Sequence, residues 1–208
     1  MTADRLRLRE GSSEDLPALA QVDGSFSNEW VLYLKRRGDP VEQTVELRWR
    51  KVKPAGGRRG TTTEDVEGEL EELRSELQRS ERLIIAEVDG RVVGYLMLGT
   101  NWNGTAELAM IIVDAGYRRR GWGQRFIQEA EAYARERGLR ALQWEVQNDN
   151  RNAIEFAVSQ GFRIAGFHDA LYRNRDAERQ LAPDFRGLAP VLDKGSGIEV
   201  VMPEPPNF

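Results

Sequence analysis

Residues 105 to 138 run from strand character through an arginine- and glycine-rich turn into an amphipathic helix, and few folds accommodate that order. Glu107, Ala109, Ile111 and Val113 alternate with Leu108, Met110 and Ile112, so both faces carry apolar side chains. That pattern predicts a central strand, Thr105 to Asp114, covered on both sides. Beyond the turn, Phe126, Ile127, Ala130, Tyr133 and Ala134 recur at helical spacing, and Gly138 supplies a stop. In the turn itself, Gly121 and Gly123 leave backbone N–H groups unobstructed where a strand becomes a helix, which makes an anion seat. Arg118, Arg119 and Arg120 add positive charge and fork-shaped donors suited to phosphate oxygens. The spacing is neither the three-glycine dinucleotide fingerprint nor a Gly-Lys-Ser/Thr phosphate loop, so an ordinary tight turn stays open as an alternative.

The flanks read as a sheet protein. Leu6 and Leu8 alternate with arginines as a first strand, and Ser12 or Ser13 caps a helix running toward Gly24. Lys35 to Arg82 changes character. Leu47, Trp49 and Val52 sit among Arg48, Arg50, Lys51 and Lys53; such a segment can track a nucleic-acid backbone, but a solvated edge strand feeding a linker suits an acidic chain better. A helix capped by Thr63 follows, with Val66, Leu70, Leu73 and Leu77 in one narrow stripe. Asp89-Gly90 between Leu83–Val88 and Arg91–Leu98 marks a hairpin, and a second turn at 101–104 leads into the central strand. Strands are expected at Leu142 to Gln147, Arg163 to His168 and within Gly195 to Met202, with a helix over Asn152 to Gln160 and a long connection over 172–194.

The chain has 208 residues, a net charge of -4, no cysteine and one histidine, which excludes disulfides and thiolate chemistry and disfavours a metal site. No apolar run approaches a membrane span, so the expectation is a cytoplasmic protein that binds neither nucleic acid nor membrane, as a monomer or homodimer. One domain is expected over 1–208, with an insertion at about 38–82 and a flexible C-terminal loop and tail at about 173–208.

Val113-Asp114, Tyr117-Arg118, Arg118-x-x-Gly121-x-Gly123, the strand at 142–147 and Asn150-x-x-Ala153-Ile154-x-Phe156-x-x-x-x-Gly161-Phe162 together resemble the GNAT family of N-acetyltransferases, over roughly Leu83 to Phe167. The resemblance implies an α/β (α+β mixed) fold: a splayed, mostly antiparallel sheet flanked by helices, binding acetyl-coenzyme A as acyl donor and no metal. It puts the pyrophosphate on Arg118, Arg119, Arg120, Gly121, Trp122, Gly123 and Gln124. The pantetheine arm falls beside Ile111, Ile112, Val113, Asn150 and Ala153, with oxyanion donors among the amides near Ile112 and Val113. Ser25, Phe26, Trp30 and Tyr33 become candidates for acceptor contact. Glu107 lies 11 residues before Arg118, the place of the family's catalytic glutamate, and reads as sharing a face with Ile111 and Val113. A strand glutamate or an acceptor-binding anion is its alternative. Many members carry tyrosine where this chain has Ala157, which leaves Tyr172, or less suitably His168, as general acid. Leu171-Tyr172-Arg173-Asn174 is similar to the streptothricin-acetylating subgroup. The implied activity is acetyl transfer to a primary amine of a small molecule or peptide; the alternative is a catalytically weak acyl-coenzyme A-binding module.

Overall fold

The computed structural model describes residues 6–26, 29–39, 41–52, 65–168 and 189–195. In chain order its elements are β1 (Leu6–Glu10), α1 (Leu16–Leu19), β2 (Trp30–Gly38), β3 (Gln43–Lys51), α2 (Asp65–Arg79), β4 (Arg82–Val88) and β5 (Arg91–Thr100). There follow β6 (Ala106–Val113), α3 (Trp122–Glu136), β7 (Ala141–Glu145), α4 (Arg151–Ser159), β8 (Arg163–His168) and β9 (Ala189–Gly195). Seven strands form one mixed sheet in the order β1-β4-β5-β6-β7-β9-β8, while β2 and β3 pair only with each other. Every neighbouring pair in the main sheet is antiparallel except β6 with β7.

Alternation along the strands divides the core in two. Ile84 and Ala86 of β4 and Leu96 and Leu98 of β5 face Trp122, Phe126, Ile127 and Ala130 of α3 and Ile154 of α4. Leu83, Ile85, Tyr95 and Met97 face Leu16 and Leu19 of α1 and Leu73 of α2. Side chains of period two meet helices of period 3.6 on both sides, which is how a sheet buries both faces. Leu70 and Leu77 pack beside Leu73, so the narrow stripe of α2 docks on its own sheet.

Three expectations change. The first helix is short: a capping box between Ser12 and Asp15 opens a 3-10 turn, and α1 stops at Leu19. Leu16 and Leu19 of α1 and Ala20 and Val22 just after it, the apolar side expected of a longer helix, are nevertheless buried. The last sheet strand is Ala189–Gly195, inside the stretch expected to be a connection, and it lies between β7 and β8. Pro190 argues against a strand by propensity, yet it stands next to the register shift opposite Ile164 and Gly166, where a missing donor is tolerated. Residues 198–202, where that strand was expected, lie outside the described residues. The basic segment around Trp49 is an edge strand with a solvated face, as expected, but its partner is β2 in a separate two-stranded hairpin and not the main sheet.

A polar clip at the surface, anchored on the buried Tyr133, ties α3 to the rim of the sheet. The Tyr133 hydroxyl lies 3.0 Å from Thr100 Oγ1 and donates to Glu81 Oε2 at 3.0 Å, and Arg137 covers its ring with the guanidinium 4.1 Å from the centroid. These bonds hold the Glu81 carboxyl below its ordinary range, Thr100 and Tyr133 contributing most, while burial pushes the Tyr133 phenol up. Tyr133→Phe is therefore expected to lower unfolding free energy by about 1 kcal/mol at neutral pH, measured by urea denaturation; an unchanged midpoint would show that the clip contributes nothing.

Candidate active site

The site begins where β6 leaves β7. Their parallel pairing lasts for three residue pairs, Ala106, Glu107 and Leu108 with Leu142, Gln143 and Trp144. On its other side β6 stays paired with β5 to its end, but the register slips: Leu98 opposes Leu108, Met97 opposes Met110, and Ala109 is the extra residue. Such a bulge bends a strand and turns it more strongly. Beyond it the edge of β6 that faced β7 opens. Asp114 N–H donates to Val93 O at 2.9 Å across β5, whereas Val113 O faces away and accepts from Arg118 Nε at 2.9 Å. By strand alternation Ile112 faces β5, and Ile111 and Val113 direct their N–H groups into the opening. Of the amides near Ile112 and Val113, those of Ile111 and Val113 thus face the opening and that of Ile112 faces β5.

The bulge also moves Glu107. Leu108, Ile111 and Val113 belong to the α3 side of the sheet, Ala109, Met110 and Ile112 to the α1/α2 side. Glu107 alternates with Leu108, so it lies on the α1/α2 side and does not share a face with Ile111 and Val113, as strict alternation predicted. Gly99 is its register partner, and a methyl there would stand 3.9 Å from Glu107 Oε2 and 3.6 Å from Arg79 O. Glu107 as a residue is exposed, but its carboxyl end lies against α2 and β7. Loss of water there raises its pKa, and Glu76 and Glu145 push the same way against the pull of Arg79.

The turn leaves the start of α3 without a side-chain cap. Asp114 caps a short 3-10 turn by accepting from Gly116 N–H at 2.9 Å, and positive φ angles at Arg119 (64°) and Gly121 (86°) swing the chain into α3. Gly121 has no side chain with which to cap α3, and the first backbone bond of the helix runs from Arg125 N–H to Gly121 O at 3.2 Å. The N–H groups of Trp122, Gly123 and Gln124 thus precede any intrahelical acceptor and stand at the positive end of the helix dipole. A methyl on Gly123 would come within 2.8 Å of the Phe156 ring, so the bare backbone also lets α3 and α4 approach closely.

Not every residue expected in the turn points at the seat. Arg118 is a clip: Nη1 donates to Ser25 O at 2.6 Å and Nη2 to Asp23 O at 3.3 Å, besides its bond to Val113 O. The Trp122 indole is 2% exposed within the core, its buried Nε1 without a hydrogen-bond partner, so only its main chain can serve a ligand. Arg119 is exposed; Arg120 lies over Tyr117 and donates to Gly116 O at 3.3 Å. Arg125, exposed in the first turn of α3, was missed because it falls outside the glycine motif.

Across the opening, Asn150 Oδ1 accepts from Ala153 N–H at 3.1 Å and caps α4, which leaves its Nδ2 donors for a ligand. Ala157 is fully buried in the core. Tyr172 lies outside the described residues, as do residues 169–188 generally, and the described part of His168 is the backbone that ends β8. Among the described residues no cluster could hold a metal and no helix is long and apolar enough to cross a membrane.

A splayed mixed sheet with an uncapped helix start beside the split defines an N-acetyltransferase of the GNAT type, and comparison with known proteins agrees. Residues 45–162 match the model of the acetyltransferase (GNAT) family. The chain is 30% identical over 179 residues to the streptothricin acetyltransferase of Streptomyces lavendulae, covering 84% of this chain and 90% of that one. This protein belongs to the GNAT acetyltransferase family. Among solved structures, nourseothricin acetyltransferase superposes with a TM-score of 0.71 at 25% identity, over 92% of this chain and 98% of that one. A streptothricin acetyltransferase candidate from Bacillus anthracis, in complex with acetyl coenzyme A, shares the fold with a TM-score of 0.70 at 24% identity, over 93% and 99% of the two chains.

Two outcomes follow. A carboxyl whose pKa is higher in the folded state destabilises that state above this pKa and is neutral below the unfolded value near 4.5. Glu107→Gln is therefore expected to raise the melting temperature at pH 8 and to lose that gain as the pH falls below 4.5; an equal gain at both pH values would contradict the assigned environment. Gly123→Ala should cost about 1–3 kcal/mol by overpacking, and adding Phe156→Leu should restore most of it; additive losses in the double mutant would show that the two residues do not collide.

Proposed function

We propose that this protein transfers an acetyl group from acetyl-coenzyme A directly to a primary amine of a small molecule, with a streptothricin-type amine as the first acceptor to try. The observation that carries the reading is the parting of β6 from β7 beside the uncapped start of α3. The acceptor class is taken from the relative in Streptomyces lavendulae.

The amides of Trp122, Gly123 and Gln124, with Arg119, Arg120 and Arg125 around them, are the seat for the diphosphate. Asn150 Nδ2 and the small Ala153 border the path of the pantetheine arm. Bound acetyl-coenzyme A supplies a thioester carbonyl to be attacked and a thiolate to leave. At that carbonyl the N–H groups of Ile111 and Val113 are placed to hold negative charge as it develops on oxygen. An amine is charged at neutral pH and must lose a proton before it attacks. Glu107, on the opposite face of β6, is the base, acting through water on an amine that arrives from the α1/α2 side. The acidic surroundings that raise its pKa also attract an ammonium ion. Tyr172 is the proposed proton donor to the thiolate.

A second reading rests on Ala157, buried where the resembled family carries a tyrosine acid: the chain binds an acyl-coenzyme A with little turnover. Thiol release separates the two. Wild-type protein with acetyl-coenzyme A and an amine panel that includes streptothricin should liberate free coenzyme A, and Glu107→Gln should lower kcat/KM by about 100-fold while leaving donor affinity nearly unchanged. The acid limb of the wild-type pH profile should lie above the ordinary glutamate value. Donor binding without thiol release from any amine would favour the second reading, and unchanged turnover in the variant would remove Glu107 as base.

A further inference from the structure

The tryptophan-bearing hairpin has a specific seat. A two-stranded sheet is marginal in water by itself, and β2 and β3 pair only with each other, Trp30–Gly38 against Lys51–Gln43. The first residue of α4 supplies the missing support. The Arg151 guanidinium carbon stands 4.9 Å from the Trp30 ring centroid and 5.2 Å from that of Trp49, and Nε donates to Glu155 Oε1 at 2.6 Å. The cation is held between two indoles by its own helix. Beside it, Leu32 N–H donates to Asn148 O at 2.8 Å, and buried Asn148 returns Nδ2 to Leu32 O at 3.3 Å.

The chain just before the hairpin is fastened to the other lip of the opening. Ala115 N–H donates to Asp23 O at 2.9 Å, Arg118 holds Ser25 O at 2.6 Å, and a methyl on Gly24 would reach Ile112 Cγ2 at 3.2 Å. Asp23 to Ser25 therefore sits on the β6 lip and Glu29 to Leu32 joins the β7–α4 lip, so the entry to the hairpin meets both lips of the opening, with Leu32 and Trp49 packed against the core on the α3 side. Arg151 follows directly on Asn150, the residue placed to meet the pantetheine arm.

We propose that Arg151 is a positioning residue, which through Trp30 and Trp49 makes the hairpin beside the opening, and with it the amine's access, respond to the donor held at Asn150. This rests on the opening being the donor seat. When Nδ2 of Asn150 engages the donor, the first turn of α4 is fixed. Arg151 is fixed with it, and the two indoles that sandwich it lose their freedom to rock. Neither tryptophan has to touch the amine for the shape of the amine's site to depend on them.

Hydrogen exchange at the amides of Val31, Leu32 and Tyr33, with and without acetyl-coenzyme A, reads this coupling without needing turnover. In wild-type protein the donor should slow exchange there by about tenfold. Arg151→Met should abolish the slowing and raise the amine KM by about tenfold, with donor Kd and kcat held within about threefold. Arg151→Lys should recover part of the effect, and the milder Trp49→Leu should reproduce the loss, each checked for native circular dichroism. Donor bound to the wild-type chain with no change in exchange would overturn the proposal alone. So would an Arg151→Met protein whose donor Kd and amine KM rise together. A folded wild-type chain that binds no acetyl-coenzyme A would remove the donor seat and this inference with it.

Discussion

One extra residue in a strand governs the arrangement. Ala109 has no register partner on β5, and the bulge it makes bends β6 away from β7 after three pairs. A parallel pair that continued would have consumed the N–H groups of Ile111 and Val113 in a ladder and closed the gap between the strands. The same residue resets the alternation, so the side chains of Ile111 and Val113 lie on the face opposite Glu107, while their amides point in the plane of the sheet into the opening.

The helix start beside that gap works because it is left unfinished. Most helices end their first turn with a serine, threonine or aspartate oxygen; Gly121 offers none, so the amides are kept for a ligand. Charge is distributed to match. Arg119, Arg120 and Arg125 ring the turn, whereas Glu76, Glu145 and Glu107 gather on the other face, where Glu107 has its proton affinity raised chiefly by loss of water. One end of the site favours an anion and the other a cation, although the whole chain carries a net charge of only -4.

Elements set by local periodicity or turn chemistry were legible before any coordinates. Asp89-Gly90 adopts positive φ at both residues and joins β4 to β5, α3 buries the apolar residues that its spacing selected, and β8 runs from Arg163 to His168 as expected. The misread elements are those in which neighbours outweigh propensity. Ala189–Gly195 carries a proline and little hydrophobicity, but it sits between two strands that supply its pairing, while the more strand-like Ile198 to Met202 lies outside the described residues.

The order of strand, arginine-flanked turn and helix determined from sequence alone that a tight turn and an uncapped helix start follow β6 and that an asparagine opens α4, because glycine conformation and helix capping are local properties. Which side each residue serves was decided in three dimensions. A single unpaired residue reverses every later side chain along a strand, so Ile111 and Val113 came to the face opposite Glu107. Arg118 found, besides the nearby Val113 O, two carbonyl oxygens on a chain segment more than ninety residues away and became a clip. Trp30 and Trp49 met across a hairpin and closed on Arg151, about a hundred residues further on, a contact that no spacing along one chain can announce because it exists only once the sheet has opened and α4 has packed beside it.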